Sequence, residues 1–142
     1  MIEHPTNSEI QNNIENIKNI ENIENAENIK KRILSALGLA AVAGALVCGT
    51  DMICDALRKA SEGKSKNNTK NRKKVLLVIE ASDTSDNTHK KLTDKCSYYK
   101  TEHIKTDNID AVTLAHAVGK SGGIAAVAIA DENFVKLLKK AF

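Results

Sequence analysis

Two runs in this chain are apolar without interruption, Val75 to Ile79 (VLLVI) and Ile124 to Ala130 (IAAVAIA). Their short length and their content of valine and isoleucine are those of strands covered on both faces. Around them, apolar positions recur at helical spacing. Ile33, Leu34, Leu37, Val42, Leu46 and Val47 predict a buried helix that closes near Gly44, with a short extended piece from Leu46 to Cys48. Thr50 suits the N-cap of a second helix through Ala60, with Met52, Ile53, Ala56 and Leu57 turned inward. Ser85 or Asp86 starts a helix through Tyr99, a weaker strand covers Glu102 to Lys105, and a helix from about Asn108 or Asp110 closes at Gly119. Asp131 opens the last helix, which carries Phe134, Val135, Leu137 and Leu138 at helical spacing. Helices alternating with apolar strands predict the α/β class, as a three-layer α/β/α sandwich around a small mixed sheet.

The first 29 residues follow a different rule. From Ile14 onward the text is a near-repeat of Glu-Asn-Ile. A spacing of three turns an apolar stripe by about 60° per repeat on a helix of 3.6 residues per turn, so Ile14, Ile17, Ile20 and Ile23 do not hold one face. Residues 1–29 are therefore read as an acidic low-complexity tail, disordered or partly helical, available to a protein partner. Residues 30–142 are read as the folded domain.

Charge sharpens that division. Residues 1–29 hold six glutamates against one lysine, while Arg58 to Lys74 holds eight basic residues against the single acid Glu62. Residues 61–74 have turn formers and cations without an apolar anchor, which predicts a solvated basic loop. Lys64, Lys66, Lys70, Arg72, Lys73 and Lys74 are its candidate phosphate contacts. Lysine outnumbers arginine 18 to three in the whole chain, so attraction to phosphate with little sequence preference is expected.

Other chemistry finds little support in the text. Cys48, Cys54 and Cys96 lack paired spacing, and His4, His89, His103 and His116 are scattered, so no metal, cofactor or disulfide framework is expected and a reducing cytoplasm is the natural setting. Gly63-Lys64-Ser65 and Gly119-Lys120-Ser121 lack the glycine that a phosphate-binding loop places five residues earlier, where Arg58 and Leu114 stand. The acidic pairs Asp83 with Asp86 and Asp131 with Glu132 fall at helix starts, where capping explains them. No catalytic constellation is assigned, so an enzyme is not expected. The apolar run Ile33 to Cys48 spans about 24 Å as a helix, short of a hydrocarbon core of about 30 Å, and membrane insertion is not expected.

Five segments taken in order carry a resemblance. They are Leu37 to Ala40 (LGLA), Ala81 to Thr88 (ASDTSDNT), Leu92 to Cys96 (LTDKC), Ala115 to Lys120 (AHAVGK) and Ile129 to Phe134 (IADENF). Together they resemble the bacterial YlxQ-like branch of the kink-turn-binding ribosomal protein superfamily, from about Lys31 to Phe142. The resemblance implies a domain that grips a sharply bent RNA through a Gly-x-Asn-Glu-x-x-Lys pattern at the start of its second helix. It places Gly49, Thr50, Asp51, Met52 and Asp55 in that pattern, of which only Gly49 is retained. An apolar loop over an unstacked base corresponds to Glu80, Ala81, Ser82 and Asp83, with Glu80 in place of an aliphatic residue. Positions that are basic in many relatives are Ala41, Val42 and Ala45 here.

The expectation is an RNA-binding protein for ribosomal or other structured RNA that reads charge and shape. The alternative is a structural or protein-interaction module on the same fold. The two are separated by whether Gly49 to Asp55 faces the same side as the basic loop.

Overall fold

The computed structural model describes residues 7–62 and 74–142. Their elements are α1 (Asn7–Val42), β1 (Leu46–Cys48), α2 (Thr50–Glu62), β2 (Leu77–Glu80), α3 (Asp86–Tyr98), β3 (Glu102–Lys105), α4 (Ala111–Ala117), β4 (Ala126–Ile129) and α5 (Glu132–Ala141). The strands form one sheet in the order β1-β4-β2-β3. β4 runs antiparallel to both β1 and β2, whereas β3 is parallel to β2.

Every residue of β2 and β4 is buried, which is why both read as unbroken apolar runs. The pleat sends Leu77, Ile79, Val127 and Ile129 to one face, where they meet Ile33 and Leu37 of α1, Leu114 of α4 and Leu138 of α5. Val78, Ala126 and Ala128 point the other way, onto Ile53 and Leu57 of α2 and Leu92 and Cys96 of α3. The result is the expected α/β/α sandwich, with α1, α4 and α5 on one side and α2 and α3 on the other.

Polar side chains fix the starts of the helices. Ser85 accepts the Thr88 N–H at the start of α3, Asp110 that of Thr113 at α4, and Asp131 that of Asn133 at α5. Asp83 does not cap the helix that follows it. Its Oδ1 accepts the Ala111 N–H at 2.8 Å and so ties the β2–α3 connection to the start of α4. The second helix begins one residue earlier than a Thr50 cap requires, because the Gly49 carbonyl accepts the Ile53 N–H and Gly49 takes a φ of 94° that a side chain would strain.

Met52 departs from the expected inward orientation and is 61% exposed, since Ile53 and Leu57 alone define the buried stripe of α2. α1 is a continuous helix of 36 residues. The side chains described between Gln11 and Ile29 are exposed, Ile14, Ile17 and Ile20 among them, and burial starts at Ile33. Among the described residues no helix is long and apolar enough to cross a membrane.

This distribution of burial predicts that deleting residues 1–28 leaves the midpoint of thermal unfolding unchanged within error. Leu37→Ala, in contrast, empties a fully buried position and lowers stability by about 2–5 kcal/mol in denaturant titrations. Loss of a cooperative transition in the shortened chain would place the domain boundary further towards the N-terminus.

Candidate nucleic-acid interface

The end of β1 leads into α2 at one edge of the sheet. The Gly49 N–H is bonded to the Ala126 carbonyl at 3.0 Å, and Ala126 pairs with Glu80, the last residue of β2. The β2–α3 connection therefore leaves the same edge. Its Ala81 N–H reaches the Ala125 carbonyl at 2.7 Å, so Ala81 is buried, while Ser82 is half-buried and Asp83 exposed. The α4–β4 connection arrives there too, with Gly119, Lys120, Ser121, Gly122 and Gly123 exposed. The fold thus gathers Gly49, Thr50, Asp51, Met52, Ala81, Ser82 and Asp83 at one open edge, whose first α2 turn has backbone N–H groups turned outward.

The carboxylates on α2 are paired. Lys91 of α3 donates to Asp51 Oδ1 at 3.1 Å, and this bond and the charge behind it raise the Lys91 pKa. Asp55 receives Arg58 Nη2 at 2.7 Å and Lys59 Nζ at 3.0 Å. Hydrogen bonds from Arg58 and then Lys59 hold its carboxyl below the usual carboxylate range. Lys91 and Lys95 both lie close enough to Cys54 on α2 to act on its thiol, whose pKa is nonetheless raised by burial. A row of cations therefore follows the seam between α2 and α3. Lys90, Lys91, Lys95, Asn87 and Tyr98 also line a shallow groove on the outside of α3.

The basic segment starts and ends elsewhere. Glu62 closes α2, and Lys74 precedes the β2 end that lies opposite Glu80. The 13 residues of α2 carry Glu62 about 20 Å along the helix from Gly49. Lys74 is exposed, and Lys64, Lys66, Lys70, Arg72 and Lys73 lie outside the described residues. Of the basic group only Lys74 can be placed, at the end of β2 opposite Glu80, away from the Gly49 turn.

A further group was not legible in the text. Glu80 is fully buried, and its carboxylate lies 2.9 Å from His89 Nδ1 and 2.7 Å from His103 Nε2. Parallel pairing sets Val78 opposite His103 and Glu80 opposite Lys105, so all four project onto the α2–α3 face, and α3 lowers His89 from above. Only the spacing of His89 after Glu80 and the alternation of His103 with Lys105 hinted at this. Neither signals a site until β3 is known to lie beside β2.

No family profile matches the chain. The RNA-binding protein YlxQ of Bacillus subtilis (strain 168) is 35% identical to it over 102 residues, which is 72% of this chain and 86% of that protein. Among solved structures, a protein of unknown function from Bacillus halodurans C is 29% identical with a TM-score of 0.61, covering 77% of this chain and 94% of its own. The Giardia lamblia 15.5kD RNA binding protein shares the fold at 18% identity, with a TM-score of 0.54 and coverage of 80% and 84%.

Cys96 is on the buried face of α3, and burial pushes its thiol up to about 11. At pH 9 only about 1% of such a thiol is ionised. Native protein treated with iodoacetamide between pH 7 and pH 9 should leave Cys96 unmodified, whereas unfolded protein is alkylated there. Peptide mass spectrometry measures both, and rapid native labelling of Cys96 would contradict the packing of α3.

Proposed function

The chain belongs to the YlxQ family, and from that membership we propose that it binds structured RNA of kink-turn or related bent geometry, with ribosomal RNA a candidate. The carrying observation is that the start of α2 and the β2–α3 connection converge on one open edge in a chain with an RNA-binding relative. RNA bases meet this edge at Thr50, Asp51, Met52, Ser82 and Asp83, with Gly49 letting the backbone come close. The phosphate backbone then follows the α2–α3 seam past Lys91, Lys95, Arg58 and Lys59 toward Lys74 and the basic segment. The reading requires no catalysis. The acidic repeat of α1 repels phosphate and is assigned to a protein partner instead.

The second reading, a protein-interaction module, draws on the exposure of Met52 and on the carboxylates beside it. Met52 offers no hydrogen bond to a base edge, and Asp51 has acceptors where an asparagine also donates.

Lysine dominates the proposed phosphate path, so affinity should fall steeply with salt. Each neutralised phosphate contributes roughly 0.7–0.9 to the slope of log K against log salt. Replacing Lys70, Arg72, Lys73 and Lys74 by serine should flatten that slope by several units in a fluorescence titration. An unchanged slope would remove the basic segment from the interface.

The edge itself is tested by Asp51→Asn, Met52→Glu and Asp55→Lys together. Asp51 and Met52 are exposed and Asp55 is half-exposed, so the fold tolerates the change. Each good base contact restored is worth about 1–3 kcal/mol of discrimination. Titration against a kink-turn RNA and a length-matched duplex at one salt concentration should show selectivity rising in the variant. Equal selectivity in both proteins would favour the protein-interaction module.

A further inference from the structure

We propose that Glu80, His89 and His103 form a binding site for a divalent transition-metal ion of the zinc class. Each offers one donor atom, and the three atoms lie within 4.8 Å of one another. They come from three different elements, β2, α3 and β3. Two imidazole nitrogens and one carboxylate oxygen are a donor set suited to zinc, with a fourth position left for water.

The two imidazoles and Lys105 answer the buried charge, and the setting also suits an ion in place of the hydrogen-bonded trio. A carboxylate with no exposure, on an inner strand, is costly to bury unless its charge is answered. Its backbone is held firmly, because the Glu80 carbonyl accepts both the N–H and the Oγ1 of Thr106, each at 2.9 Å. His103 is likewise fixed on β3, with its side chain 12% exposed. His89 is the adjustable member, 41% exposed on the first turns of α3, and it keeps the site open to solvent on one side.

The carboxylate lies 2.7–2.9 Å from the two ring nitrogens. Donors around a tetrahedral zinc ion are about 3.3 Å apart, given metal–ligand distances near 2.0–2.1 Å. Binding therefore opens the group by about half an ångström, within the reach of the His89 side chain. The ion takes the place of the proton between each imidazole and the carboxylate: a ring with one proton carries it on the nitrogen facing away from the metal, and a ring with two releases one to solvent.

Lys105 is the competitor. Its Nζ lies 4.0 Å from Glu80 Oε2, and the side chain is 39% exposed, so it swings outward when the ion arrives. The buried Cys96 thiol is near enough for Glu80 to act on it, but burial keeps that thiol protonated. The structural effect of the ion is to close the β2–α3 connection, since Glu80 and His89 stand at its two ends.

The test uses the full chain, freed of metal with a chelator and titrated with cobalt(II) and then zinc(II) under a reductant that does not bind metal. One equivalent of cobalt should bind with visible d–d absorption and without the near-ultraviolet band of a thiolate ligand, and zinc should displace it. Glu80→Gln, His89→Ala and His103→Ala should each weaken binding by about 100-fold or more, since losing a residue that only hydrogen-bonds to a ligand already costs about 10–100-fold. His89 is the decisive position because its exposure spares the fold, which circular dichroism of the metal-free variant checks. Lys105→Ala should tighten binding several-fold by removing the competing cation. No stoichiometric uptake, a thiolate band, or affinity unaltered by His89→Ala would overturn the site. Unchanged affinity in Lys105→Ala would overturn the assignment of Glu80 as a ligand.

Discussion

Burial of β2 and β4 on both faces is the constraint from which the architecture follows. Neither strand has a solvent side, so helices must cover the sheet above and below, and each connection must pass from an end of the sheet onto one face. Because β4 is antiparallel to its two neighbours, its start lies beside the ends of β1 and β2. That arrangement collects the Gly49 turn, the β2–α3 connection and the α4–β4 connection at one edge. The same geometry places Lys74 at the opposite edge.

Glu80 is the exception that this constraint makes informative. It continues the inward sequence of β2 with a charged group, where the family resemblance leads one to expect an aliphatic side chain. An apolar residue there would need nothing from β3 or α3. A carboxylate needs partners, and His103, His89 and Lys105 surround it from the neighbouring strand and the helix above. The substitution thus exchanges packing for a polar junction at the root of the β2–α3 connection. Whatever binds at this edge is presented by a loop whose two ends meet at that junction.

The sequence made the scaffold legible because its signals are local. Unbroken runs marked β2 and β4, Ser85, Asp110 and Asp131 marked helix starts, and the alternation of short strands and helices gave the layers. Other features depend on contacts between distant residues. Asp83 caps a helix 28 residues away, which its position before α3 concealed. Met52 looked inward because α2 has apolar residues on adjacent positions, and only docking decided that Ile53 and Leu57 would take the core. The Glu80 group required the parallel register of β3, set by a strand whose own text was weak. Of the candidate interface, the sequence named the Gly49 turn and the Ala81 to Asp83 connection; it did not give their distance from the basic segment.

Electrostatics at the start of α2 must be judged by groups rather than by single residues. Taken alone, Asp55 in place of a basic family position reverses the local charge. In the folded chain that carboxylate is bound to Arg58 and Lys59, and the formal sum of the three is +1, the charge of the lysine that the pattern expects. Asp51 and Lys91 likewise sum to zero, as an asparagine would. What differs is the supply of hydrogen bonds, because cations held by a carboxylate must exchange that partner for a phosphate before they contribute. For the proposed interface this means that the departures from the family pattern would weaken the reading of base edges more than the attraction of a phosphate backbone, which leaves shape and salt as its main determinants.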